Sequence, residues 1–235
     1  MRIEFVHDVI CSFCFPMSYR MRNIDEKYSN VDISHRSFAL GWEPSNFESM
    51  FGSHEAVKPK VLGHWKNANE NDDLHRFNIE GMKGQKFLFP NSKQPLIAAK
   101  AAGLLKGEDG YWEVFDALQN ALFVENQNIA DMDIINKVVK QTSLNFDEWK
   151  ALFEDSDTET AVLKDLEFVT QNGIRSVPAL IVEDKYLISG AQSQASIEEA
   201  LEDIADKENL QLNGLQLFGS EGDACRVVDG QWQCD

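Results

Sequence analysis

Cysteine is scarce in this chain, with four residues in 235. That is too few for the disulfide framework that holds small secreted domains together. Long apolar runs are also lacking. No stretch approaches the roughly 18 consecutive apolar residues of a membrane-spanning helix. The start, Met1-Arg2-Ile3-Glu4-Phe5-Val6, is too short and too charged for a signal peptide and reads as a first strand. The predicted compartment is therefore the cytoplasm. Positive charge is in deficit, with 22 Lys+Arg against 39 Asp+Glu and a formal net charge of −17. A surface of that sign repels nucleic acid and anionic lipid, and its ordinary meaning is solubility. The chain has no glycine-rich phosphate loop, no dinucleotide fingerprint and no Ser-His-Asp order. It has no internal repeat, and His35, His54, His64 and His75 have no metal-ligand spacing.

What is present is concentrated in Cys11-Ser12-Phe13-Cys14. This spacing suits a dithiol that closes into a small-ring disulfide and reopens. The pair follows an apolar strand-like segment and precedes Phe15-Pro16-Met17-Ser18-Tyr19-Arg20-Met21, which has helical spacing with Pro16 in the first turns. In a strand-to-helix context such a pair reads as a thioredoxin-like redox motif. A second strand is expected over Val31 to Leu40. Helical periodicity then dominates from about Phe47 to Asn172, with helices at 94–105, 111–123, 131–139, 146–153 and 158–169. Gly81 to Asn91 reads as a loop. Strands return at 178–182 and 186–189, joined by a tight turn at Glu183-Asp184-Lys185. Ser196 and Glu199 have capping-box spacing ahead of a helix whose apolar face is Ile197, Ala200, Leu201, Ile204 and Ala205.

The predicted fold is α/β. Residues 1–46 and 173–212 form a thioredoxin-fold domain, 47–172 an all-helical insertion, and 213–235 an irregular tail containing Cys225 and Cys234. Thiol–disulfide exchange needs a thiolate. Placed at the N-terminus of the first helix, Cys11 gains from unpaired N–H groups and the helix dipole, and becomes the exposed nucleophile. Cys14, one turn further on, resolves the mixed disulfide. Asp8 and His7, just ahead of the pair, are candidates for proton transfer or for simple loop capping. Ser176-Val177-Pro178 precedes the returning strands. A cis bond there would turn the Val177 backbone toward an extended substrate segment, whereas a trans bond would only end a turn. Trp42, Trp65, Trp112 and Trp149 are expected to pack in the core or the lid.

Three blocks carry a family resemblance: Phe5 to Cys14, Gly173 to Val182, and Tyr186-Leu187-Ile188-Ser189-Gly190-Ala191-Gln192-Ser193. With them the chain resembles the DsbA-like thiol–disulfide oxidoreductases, specifically the FrnE-like branch, over nearly its whole length. The resemblance implies a thioredoxin fold, a nucleophilic Cys11, a resolving Cys14 and a cis-proline at Pro178. It implies protein thiols or small thiols as partners and no metal or organic cofactor. Ser12-Phe13 departs from the Pro-His or Pro-Trp common in relatives, so their redox poise does not carry over. Cys225 and Cys234 look like a stretched form of a C-terminal pair found in some members. Three readings of that pair stay open: a structural disulfide, a second redox pair exchanging with Cys11 and Cys14, or metal-ligating thiols. Two other functions also remain. One is a glutathione-dependent isomerase or kappa-type glutathione transferase, which typically has Ser where Cys11 stands. The other is a zinc-binding module built on all four cysteines.

Overall fold

A computed structural model describes residues 1–214, together with the backbone of two strands in the tail. Strand β1 (Arg2–His7) buries five of its six residues. It pairs in parallel with β2 (Asp32–Ser37) on one side and antiparallel with β3 (Ala179–Val182) on the other. Strand β4 (Tyr186–Ser189) closes a four-stranded sheet of order β2-β1-β3-β4. The β3–β4 turn has Glu183 and Asp184 both at positive φ, 53° and 55°, the backbone that matches the twist of a tight hairpin. Every strand of this sheet comes from 2–37 or 179–189, so the helical stretch between them interrupts one sheet rather than extending it.

That stretch is α2 (Pro44–Phe51), α3 (Val57–Asn71), α4 (Ile79–Gly84), α5 (Lys93–Phe123), α6 (Met132–Val139), α7 (Phe146–Glu154) and α8 (Ser156–Gln171). The segment expected to be a loop at 81–91 is helical at its start. Asn78 accepts the Gly81 N–H at 2.9 Å and nucleates a six-residue helix too short for periodicity to register. The two helices expected at 94–105 and 111–123 are arms of α5 that meet at a break, where Gly107 takes φ 70° and ψ −160°. The break turns Glu108 toward β2, and its carboxylate accepts the His35 N–H at 3.0 Å.

The second carboxylate on that sheet edge is Asp165 of α8. It accepts the Ser37 N–H at 3.1 Å and pairs with Arg36 at 3.3 Å and with Lys100 of α5. Edge strand β2 is thus covered by the insertion rather than left open for pairing. Trp65, Trp112 and Trp149 are buried, and Trp42 packs at the margin of the core.

Two flanking helices complete the sheet domain. Helix α1 (Cys14–Lys27) buries Phe15, Met17, Met21 and Ile24. Helix α9 (Gln194–Glu208) starts earlier than Ser196. Ser193 caps it by accepting the Ser196 N–H at 3.2 Å, because its extended backbone (φ −65°, ψ 157°) places the hydroxyl over the first turn. Its buried face is Ile197, Leu201, Ile204 and Ala205. The tail, expected to be irregular, carries one antiparallel hairpin of β5 (Cys225–Val228) and β6 (Gln231–Cys234), in which position 225 is paired with 234. The side chains of Cys225 and Cys234 lie outside the described residues.

Candidate active site

The dithiol loop is a run of turns between β1 and α1. The Cys11 N–H reaches the Asp8 carbonyl at 3.1 Å, Cys14 N–H the Cys11 carbonyl at 3.1 Å, and Phe15 N–H the Ser12 carbonyl at 3.4 Å. Helix α1 begins at Cys14, so Cys11 stands one turn ahead of the helix proper. Pro16 falls in the first turn, where its missing N–H has no helical partner to lose. Cys11 is not the exposed group expected from sequence. Only 4% of it is accessible, because Val177 and the insertion close over it. Cys14 is fully buried. Both are free thiols.

The Val177–Pro178 peptide bond is cis. The Cys11 thiol lies 3.7 Å from the Val177 carbonyl oxygen, within hydrogen-bonding range for sulfur. Two segments separated by more than 160 residues thus meet at the reactive sulfur. Cys11 and Val177 open on a cavity of about 280 Å³, lined largely by apolar side chains. Helix α2 contributes Phe47, Met50 and Phe51, and α3 contributes Val61 and His64. Gly41 makes room for this wall. A Cβ there would sit 2.2 Å from the Phe47 ring, so any side chain would displace that ring from its place in the wall.

Asp8 lies beneath the loop with no exposed surface. Its Oδ1 accepts the Ile10 N–H at 3.2 Å, and its Oδ2 accepts the Leu40 N–H at 2.6 Å and the Ser92 hydroxyl at 2.7 Å. It therefore ties the dithiol loop to the segment after β2 and to the entry of α5. Burial raises its pKa to about 6, against the lowering effect of those hydrogen bonds. Burial also pushes the Cys14 thiol well above its ordinary value, helped by the Cys11 sulfur beside it and by the Asp8 charge.

His7 sits elsewhere. Its Nε2 lies 2.9 Å from His35 Nδ1 in the core, with its ring 4.0 Å from the Phe115 ring centre, and it does not line the cavity. The outer nitrogens, His7 Nδ1 and His35 Nε2, have no partner among the described residues. Burial holds both imidazoles neutral, His7 well below 6.5 and His35 at about 3. This sets a sign for acid stability. The unfolded chain takes up protons on these residues below pH 6.5, while the folded chain does not until about pH 3 for His35. Stability from His35 is complete above pH 6.5 and is lost as pH falls. At pH 4.5 the loss is about 3 kcal/mol. Urea midpoints at pH 7 and 4.5 should therefore differ less in His35→Leu than in the parent. An equal pH response in the two would rule out this origin.

Sequence spacing placed His64 among histidines with no ligand pattern. Only the tertiary structure puts it in the lining of the cavity on which Cys11 opens. Leu40 and Ser92, which set the environment of Asp8, likewise carry no local signature.

The fold is shared with solved structures. A cytosolic disulfide reductase, DsbM of Pseudomonas aeruginosa, is 15% identical with a TM-score of 0.68, over 86% of this chain and 99% of its own. A probable DsbA oxidoreductase of Streptomyces coelicolor is 18% identical with a TM-score of 0.68, over 99% of this chain and 98% of its own. A 2-hydroxychromene-2-carboxylate isomerase is 12% identical with a TM-score of 0.62, over 89% and 98%. No curated protein sequence matches the chain. At these identities the structures show the fold alone, and one of them is an isomerase. The sequence model of the DSBA-like thioredoxin domain, however, matches residues 2–202, from the first strand through the dithiol, the insertion and the cis-proline into α9. The chain belongs to the DSBA-like thioredoxin domain family.

Proposed function

We propose that the protein exchanges disulfides with protein thiols or small thiols through Cys11 and Cys14, without a metal or organic cofactor. The observation that carries this reading is the approach of the Cys11 sulfur to the Val177 carbonyl, 3.7 Å away at a cis-proline and open to an apolar cavity. Cys11 is the sulfur that meets substrate. The backbone of Val177, held by Pro178, pairs with an extended segment of it. Cys14, sealed from solvent, attacks the mixed disulfide from within.

Cys14 needs a proton acceptor, since burial keeps its thiol protonated. Asp8 suits that role. It is buried with the dithiol loop and its carboxyl is raised to about 6, close to neutral pH. His7, bonded to His35, is left with a packing role. The isomerase and transferase reading shares this fold, but it expects Ser at the position of Cys11. The zinc reading needs the thiols of Cys225 and Cys234, which lie outside the described residues. The cytoplasm remains the proposed compartment, as for the cytosolic disulfide reductase of Pseudomonas aeruginosa whose fold the chain shares.

Trapping tests the division of labour between the two cysteines. Cys14→Ser should accumulate a mixed disulfide on Cys11 with a disulfide substrate, detectable by intact mass, because nothing resolves it. A variant that releases product at the parental rate would overturn the assignment of Cys14 as the resolving thiol.

A further inference from the structure

The cavity beside the dithiol has two titratable side chains in its lining, Cys11 and His64. The rest of the wall is apolar apart from the Ser12 hydroxyl. His64 belongs to α3 of the insertion, and its side chain is exposed, so it reaches the cavity from the solvent side. The charged and titratable groups around it are otherwise engaged. Lys60, on the same helix, lies 5.3 Å from the Phe51 ring centre. His54 places Nε2 2.7 Å from the Phe89 carbonyl oxygen. Asp8 is beneath the loop, turned toward Leu40 and Ser92. A substrate disulfide entering this cavity therefore meets the Cys11 sulfur on one wall and an imidazole on another.

We propose that His64 is the catalytic acid of the exchange step, giving a proton to the substrate sulfur that departs across the cavity from Cys11. This rests on exchange at Cys11 as proposed above. In the step, the Cys11 thiol first loses its proton to solvent. The thiolate attacks one sulfur of R–S–S–R′, the S–S bond breaks as the Cys11–S–S–R bond forms, and the electron pair leaves on R′S⁻. The His64 imidazolium protonates R′S⁻ to R′SH, and the imidazole then takes a proton back from solvent. Substrate is reduced by the pair of electrons that the Cys11 sulfur shares in the new bond, so no further reactant is needed. An imidazole suits this work because its ring nitrogens both donate and accept protons.

Leaving-group chemistry separates this role from packing. An alkyl thiolate gains from protonation as it departs, whereas a thiopyridone departs without it, since a low-pKa leaving sulfur leaves readily. The reduced full-length protein is mixed at pH 7 with uncharged bis(2-hydroxyethyl) disulfide or with uncharged dipyridyl disulfide, and single-turnover rates are compared. His64→Gln should slow the alkyl disulfide about tenfold and change the dipyridyl rate less than about twofold. The tenfold is below the usual range for acid–base catalysis because thiolates leave fairly well unaided. Equal slowing of both probes, or slowing of neither, overturns the proposal for His64 and leaves exchange at Cys11 standing. Cys11→Ser should lose both reactions, and its failure to do so would instead overturn the exchange reading.

Discussion

Replacing Cys11 by Ser should abolish thiol-dependent reduction of insulin, by at least about a thousandfold, which corresponds to about 4 kcal/mol of barrier. A serine hydroxyl does not ionise at neutral pH and forms no S–S bond, so neither half of the exchange is possible. The fold should survive. Cys11 is at the edge of the core beside a cavity, and serine differs from it by one atom. Loss of activity with unchanged thermal unfolding is the expected pair of results. Cys14 does not substitute for it, because burial keeps that sulfur away from substrate and protonated. Retention of more than about a tenth of the parental rate, or about 1.4 kcal/mol of lost barrier, would assign the chemistry to another group.

The second large effect concerns stability. Asp165→Ala should cost about 3–5 kcal/mol, the usual range for removing one partner of a buried ion pair. The carboxylate is 95% shielded and is the shared acceptor for Lys100, Arg36 and the Ser37 N–H. Lys100 is itself mostly buried and would lose its ion-pair partner, with Glu108 acting on it only at longer range, whereas Arg36 keeps Glu4 at 2.7 Å. For a chain of this size that corresponds to roughly 6–20 °C in Tm. Asp165→Asn, which keeps an acceptor for Ser37, should cost less. A change below about 1 kcal/mol in Asp165→Ala would mean that Glu108 and apolar packing hold the insertion to β2 without this carboxylate.

The two expected effects differ in how far sequence foretold them. Cys11 and Cys14 were legible because their meaning lies in a spacing of three residues, which a turn leading into a helix converts directly into proximity. Most helices of the insertion were legible for the same reason, since apolar periodicity is local. The helix at Ile79–Gly84 was not, being shorter than the period it would have to display. The start of α9 was displaced by three residues, because Ser193 and Ser196 both carry capping hydroxyls and backbone geometry selects the first. Asp165 had no signature at all. Its partners Lys100, Arg36 and Ser37 are 65 to 129 residues away, and nothing local to α8 announces them.

By itself, then, the sequence determined the strand–dithiol–helix start, the helical interruption of one sheet, and the element that returns at Val177-Pro178. All of these are written in short-range spacing, turn chemistry and periodicity. Tertiary structure alone decided which groups share the reactive sulfur's surroundings. It sank Cys11 beneath an apolar wall, put Asp8 under the loop with a raised pKa, sent the neighbouring His7 into the core against His35, and brought His64 from the insertion to the cavity. The reason is physical. Desolvation and through-space contact set reactivity, and both depend on segments that meet only after the sheet and the insertion have closed on each other.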